Sequence, residues 1–205
     1  MADRAHLLLS ATEPDRSGLV AELTGFIGEC GCNVDDSRAV VLGGHAGLMV
    51  LVSGEPGALE RLVAGLGALR ERTGIRAAPR RVAARRTPAD DRSSRIDIEA
   101  TALDHEGIIH ALTDTVRRHG GNILELESST QAAPMSGEPL LTLRMSVWAS
   151  NSENGADALW RELERVAEQE GVELAVRRVP TTDEHPAAVG AERRRTARPH
   201  DTPRG

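Results

Sequence analysis

Two tetrapeptides, Asp15-Arg16-Ser17-Gly18 and Asp104-His105-Glu106-Gly107, carry the residue types best placed for chemistry in this chain. Each precedes an apolar pair, Leu19-Val20 or Ile108-Ile109, that opens a helical pattern. A glycine at a helix N-terminus leaves free amides at the positive end of the helix dipole, which suits a carboxylate or another small anion. Asn33 and Asn122 follow at equal distances and are expected to open edge strands beside those turns. Their amide side chains can donate to a carboxylate and accept from an ammonium group. A plainer reading stands beside this one. Asp15 and Asp104 suit helix N-caps, with the Asp15 carboxylate reaching the amide of Gly18. The two asparagines also suit left-handed turn positions.

These residues recur because the chain repeats. Adding 89 to a position carries Asp15 to Asp104, Gly18 to Gly107, Leu23-Thr24 to Leu112-Thr113 and Asn33-Val34 to Asn122-Ile123. The register extends back through Leu7, Leu9, Ala11 and Thr12, which fall on Ile96, Ile98, Ala100 and Thr101. A gapless register of this kind marks a tandem duplication. The expected layout is a first domain at 1–82, an Arg- and Asp-rich linker at 83–94, a second domain at 95–180 and a disordered tail at 181–205.

The elements that must position the tetrapeptides follow from apolar spacing. Ala5–Thr12 reads as a buried strand, Glu13–Ser17 as a turn, and Leu19, Val20, Leu23, Phe26 and Ile27 as one helical stripe ended by Gly31. Asn33–Leu42 and Leu48–Val52 read as strands around a Gly43-Gly44 hairpin. Pro56 opens a second helix with Leu59, Leu62, Val63, Leu66 and Leu69 inward and Gly74 as its stop, and Ile75–Val82 reads as a fourth strand. The second copy repeats this βαββαβ order. The fold class is α+β: two ferredoxin-like domains, each an antiparallel sheet with both helices on one face. Strands one and three are expected to be central, and two and four to be edges.

Composition narrows the function. The seven histidines are scattered and no serine sits in an elbow motif, so no nucleophile and base pair emerges. Cys30 and Cys32 form a C-x-C without neighbouring ligands, a poor zinc site, so no catalytic residue, metal or cofactor is assigned. An RNA-recognition sheet needs stacking aromatics on its central strands, where only Trp148 stands. Arg16 and Asn33 mimic the pair of an acyl-phosphate hydrolase, but the second copy has His105 in place of Arg16. The net charge is −6, with seven Arg against two Asp from 76 to 95 and five Arg against four acids in the tail, leaving −12 on the two bodies. Such bodies repel a phosphate backbone, and no direct nucleic-acid binding is expected. The N-terminus shows only a three-leucine run and no apolar run approaches a membrane span of about 20 residues, so a cytoplasmic location is expected.

The pattern D-x-x-G followed by two apolar residues, then G-x-N and an apolar residue, resembles an ACT domain in both copies. CGCNVDDSRAVVLG from Cys30 to Gly43, Ser53-Gly54, and APMSGEPLLTL from Ala133 to Leu143 are similar to the glycine cleavage system transcriptional repressor family. The resemblance spans about Ala5 to Val179; Leu141, where that pattern leads one to expect Phe, and the Arg-rich tail depart from it. It implies a non-catalytic amino-acid sensor that acts on transcription through a protein partner. The alternative is an allosteric subunit of an amino-acid metabolic enzyme. It implies a small amino acid, glycine for that family, where the first loop of one domain meets the second strand of the other, and leaves room for a homodimer. The ligand-binding residues would be Asp15, Arg16, Ser17, Gly18, Leu19, Asn33 and Asp36, and in the second copy Asp104, His105, Glu106, Gly107, Ile108, Asn122 and Glu125. Asp35 to Arg38 would then form a ligand rim, although polar residues there also guard an edge strand against unwanted pairing.

Overall fold

The computed structural model describes residues 5–83, 94–149 and 155–179. The tail and nearly all of the linker expected from the sequence lie outside the described residues. The chain divides into two compact units, residues 1–89 and 90–205. The first contains β1 (Ala5–Pro14), α1 (Leu19–Glu29), β2 (Asn33–Leu42), β3 (His45–Gly54), α2 (Pro56–Thr73) and β4 (Ala77–Val82). The second contains β5 (Ser94–Leu103), α3 (Ile108–Arg118), β6 (Asn122–Ala132), β7 (Pro139–Ala149), α4 (Gly155–Glu170) and β8 (Glu173–Val179). Both are ferredoxin-like α+β units of four antiparallel strands. The order is β2-β3-β1-β4 in one sheet and β6-β7-β5-β8 in the other, so the central and edge strands fall as the split βαβ pattern requires.

Alternation builds each core. In β1, Leu7, Leu9 and Ala11 are buried on the helix side, facing Leu48, Val50 and Val52 of β3 and Leu19, Leu23, Phe26 and Ile27 of α1. In β5, Ile96, Ile98, Ala100 and Ala102 do the same against Leu141, Leu143, Met145 and Val147 of β7 and Leu159, Leu163, Val166 and Ala167 of α4. The second strand of each sheet breaks its pairing at one place, between Val34 and Asp36 in β2 and between Ile123 and Glu125 in β6. The repeat has therefore kept the same β-bulge in both copies. Among the described residues, no helix is long and apolar enough to cross a membrane.

Four expectations shift. β1 runs on through Glu13 and Pro14, because these two pair with Ala46 and His45 of β3. The turn begins only at Asp15. Val20 and Val63 are 50% and 40% exposed, although the apolar stripes include them. Each stripe is wider than the strip of sheet its helix covers, and the flank stays in water. Ile75, expected in β4, is instead fully buried in the connection before it.

Leu23 and Val20 therefore separate cleanly by experiment. Leu23→Ala should cost about 2–5 kcal/mol, as large-to-small changes in packed cores do. Val20→Ala should stay within about 0.5 kcal/mol. Urea denaturation of the full chain, followed by circular dichroism, measures both.

Candidate functional site

The first loop of each unit is shaped by a glycine. Gly18 and Gly107 occupy the N-cap positions of α1 and α3 in the left-handed conformation, at φ 93° and 100°. A side chain there strains the backbone, by about 1–2 kcal/mol, so only glycine turns the strand into the helix without cost. Asp15 and Asp104 are not the caps, and no side chain caps either helix. The Asp15 amide instead donates to the Gly44 carbonyl at 2.9 Å, and the Asp104 amide to the Pro139 carbonyl at 2.8 Å. Both aspartates thus tie the loop to the neighbouring hairpin. The Asp104 carboxylate also accepts from the Thr130 hydroxyl at 3.1 Å.

Arg16 and His105 perform one job with different chemistry. The Arg16 guanidinium donates to the Thr73 carbonyl, in the last residue of α2, at 2.8 Å. His105 Nε2 lies 3.2 Å from the Glu170 carbonyl, in the last residue of α4. The last carbonyls of a helix lack partners within it, and a cation there also complements the dipole. Each loop is therefore clamped to the end of the second helix of its own unit. The His105 Nδ1 faces the Glu106 carbonyl at 3.1 Å. Both ring nitrogens thus face acceptors, an arrangement that only the doubly protonated ring satisfies in full. These carbonyls, Glu170 first and Glu106 second, push the His105 pKa up.

The two loops differ in one respect that bears on anions. Arg16 also binds Glu22 of the first turn of α1, at 2.5 and 2.8 Å, and Glu22 Oε1 lies 3.4 Å from where a Cβ on Gly18 would stand. The Arg16 hydrogen bonds hold the Glu22 carboxyl below its ordinary range. The first helix N-terminus therefore already has a carboxylate of its own. At the Glu22 position the second copy has Ala111, and around Gly107 a Cβ would meet nothing within 4 Å.

Asn33 and Asn122 do not lie beside these loops. Asn33 pairs with Ser53, which pairs with His6 near the start of β1, whereas the loop follows Pro14 at its end. Asn122 pairs with Trp148, opposite Arg95 at the start of β5. The helix between strands one and two runs back along the sheet, so it delivers the second strand to the far end. The separation is one strand length, on the order of 30 Å. Neither asparagine is a left-handed turn residue, since every described positive-φ position is a glycine. Asn33 instead donates to Asp35 Oδ1 at 2.8 Å at the bulge. Ser53, 2% exposed, donates to the same oxygen at 2.8 Å, and His6 Nε2 lies 3.6 Å from Asp35 Oδ2. Asp36 and Glu125, the residues after the two bulges, occupy matching places, and Asp36 accepts from Arg38 at 3.1 Å.

Glu13 escapes sequence reasoning because it reads as a turn residue. It is 6% exposed at the end of β1 and accepts from the Arg76 amide at 2.7 Å and from its guanidinium at 3.4 Å. Burial pushes its pKa up, but the Arg76 amide and guanidinium together hold it below the ordinary range. Burial likewise pushes the Cys30 and Cys32 thiols up, which makes them poorer nucleophiles. Among the described residues no group of three or more His, Cys, Asp or Glu could hold a metal ion.

A duplicated βαββαβ unit with a glycine-capped first loop and a bulged second strand places the chain among tandem ferredoxin-like proteins. Residues 5–78 match the family described as the ACT domain. The glycine cleavage system transcriptional repressors of Escherichia coli and Shigella flexneri are each 28% identical over 169 residues, covering 80% of this chain and 88% of theirs. A crystal structure of an unknown protein from Galdieria sulphuraria superposes with a TM-score of 0.70 at 26% identity, over 86% of this chain and 99% of that one. A structure provisionally named a glycine cleavage system transcriptional repressor shares the fold at TM-score 0.65 and 20% identity, over 86% and 98% of the two chains. The first unit thus matches the ACT domain, and the chain is similar over 169 residues to the glycine cleavage system transcriptional repressors.

Two pH responses follow. His105 should titrate above the ordinary histidine value of about 6.5. A raised folded-state pKa contributes stability below the unfolded value, and that contribution is lost as pH rises through the folded value. A pH series of histidine ring resonances in the NMR spectrum checks this, and a midpoint at or below the ordinary value counts against the clamp. Glu13 works in the opposite sense. Its depressed pKa contributes stability above the unfolded value of about 4.3, lost as pH falls through the folded value. Glu13→Gln should cost about 1–3 kcal/mol at neutral pH and flatten the acid limb of a stability-against-pH curve.

Proposed function

We propose that this ACT-domain regulatory protein is a non-catalytic amino-acid sensor that acts on transcription through a protein partner in the cytoplasm, with glycine as the first effector to test. The observation carrying this reading is the paired glycine-capped first loop, found in a chain 28% identical over 169 residues to two glycine cleavage repressors. The ligand carboxylate would take the amides of the first helical turn, and nearby acids would meet its ammonium group. In the second unit those groups come from His105, Glu106, Gly107 and Ile108, with Asp104 beside them. In the first, Arg16, Ser17, Gly18 and Leu19 supply the amides and Asp15 the acid. Asn33, Asp36, Asn122 and Glu125 belong to the ends of β2 and β6 remote from the loop of their own unit. One small amino acid cannot touch both the loop and the second strand of a single unit. The −12 on the two bodies supports a protein partner rather than direct contact with nucleic acid.

The carboxylate of Glu22 makes the two loops unequal. The second unit should take the ligand first, and Glu22→Gln should open the first. Calorimetric titration of the full chain with each of the twenty amino acids tests both statements. One site is expected in the unchanged protein and a second in the Glu22→Gln variant. Ligand at 100 times its dissociation constant should stabilise the fold by about 2.7 kcal/mol, seen as a shift in melting. If no amino acid binds at millimolar concentration, the sensor reading is wrong.

A further inference from the structure

The groove between α2 and β4 holds two charges that the first loops do not use. An open pocket of about 350 Å³ lies there, lined by Leu7 of β1, Val63 and Ala64 of α2 and Pro79 of β4. Glu60 of α2 and Arg81 of β4 complete the lining. Pro79 and Arg81 pair with Leu9 and Leu7, which are buried under the helices, so both stand on the helix side of the sheet. Neither Glu60 nor Arg81 has a hydrogen-bond or ion-pair partner among the described residues. The second copy holds the same acid and base in a closed form. Arg178 pairs with Ile96 as Arg81 pairs with Leu7. Asp157 precedes the helix-ending Gly171 by fourteen residues, as Glu60 precedes Gly74. Asp157 and Arg178 are joined in a direct ion pair. Counted the same way, Trp160 stands where the first copy has Val63, and Arg161 where it has Ala64. The first copy has thus kept the acid and the base but left them apart, over smaller side chains.

A carboxylate and a guanidinium without partners, on either side of an apolar floor, suit a ligand with a positive end, a negative end and an aliphatic body. Length selects among such ligands. A rounded space of that volume is about 9 Å across, against about 3.5 Å of chain for one residue and about 7 Å for two. The volume also falls at the lower end of small-molecule sites, about 300–1,000 Å³. We propose that this pocket binds a dipeptide with free ends and aliphatic side chains, its ammonium group on Glu60 and its carboxylate on Arg81. The guanidinium offers the carboxylate two parallel hydrogen bonds. The aliphatic side chains rest on Leu7, Val63, Ala64 and Pro79. All six lining residues belong to the first unit and none to the first loops, so this site stands apart from the amino-acid reading of those loops.

The test is calorimetric titration of the full chain with leucylalanine, with melting scans to show that each variant is folded. Leucylalanine should bind at millimolar concentration or below. Its N-acetyl form lacks the ammonium group and its amide form lacks the carboxylate, and each should bind about tenfold more weakly. Free leucine, too short to reach both charges, and glycylglycine, without aliphatic side chains, should also be weaker. Glu60→Gln should remove the preference over the N-acetyl form, and Arg81→Gln the preference over the amide. Val63→Trp, at an exposed position, gives the first unit the residue of the second and should abolish binding. Arg80→Gln should change nothing, since Arg80 pairs with Leu8 on the face turned away from the helices. If leucylalanine does not bind, the proposal is overturned. Binding indifferent to Val63→Trp, or equal for the N-acetyl and amide forms, overturns it as well. Leucine bound as tightly as leucylalanine would rule out the dipeptide as the occupant. None of these failures touches the amino-acid reading of the first loops, whose own test is the Glu22→Gln titration.

Discussion

Everything in each unit leans on the burial of one side of its first strand. Leu9 in β1, and Ile96 and Ile98 in β5, are entirely out of water, with hydrogen-bonded neighbours on both sides and both helices above. At about 25 cal/mol for each Å² of apolar surface, a fully buried leucine or isoleucine contributes about 1.5–3 kcal/mol. A unit of this size has few such residues to spare, since small domains bury only about 60% of their unfolded surface. The central strand therefore fixes its neighbours, and the strand order leaves β2 and β6 as edges. Both edges carry the same bulge, which points to a constraint older than the divergence of the two copies.

The loop that leaves the central strand is tied to two neighbouring elements of its own unit. Its amide goes to a hairpin carbonyl, its second residue to the end of a helix, and its last residue is a left-handed glycine. Because Arg16 and His105 serve the same carbonyl position, the clamp is a property of the unit and the side chain a local choice. The choice still has consequences, since a guanidinium stays charged at every physiological pH and an imidazole does not. The first unit is clamped permanently. The second is clamped more firmly as pH falls.

The two copies have kept their backbone and diverged on their surfaces. Glu22 stands at the helix N-terminus of the first copy where the second has Ala111. Leu8 and Leu51 stand outward in the first sheet where the second has Asp97 and Ser146. These exchanges leave the cores almost untouched, since outward positions make few packing contacts. Duplication followed by surface divergence thus gives one chain two first loops and two outward sheet faces of unequal character.

The apolar spacing alone determined the βαββαβ order, the sheet order and most of the core, because a 3.6-residue or two-residue period is written locally and each copy repeats it. The Asp-x-x-Gly loops were legible for the same reason, as was the resemblance to ACT domains. Three features were decided only by the folded chain. Asn33 and Asn122 sit at the far end of the sheet from the loops, because a helix must travel back along the strand before the next strand begins. Asp15 and Asp104 are not caps, because the glycines after them take the cap position in a conformation that no side chain in the sequence announces. Glu13 finds Arg76 and Arg16 finds Thr73, across 63 and 57 residues of chain. A local pattern cannot contain such pairs. They come from the crossing of elements, and only tertiary structure sets which crossing brings an acid beside a base.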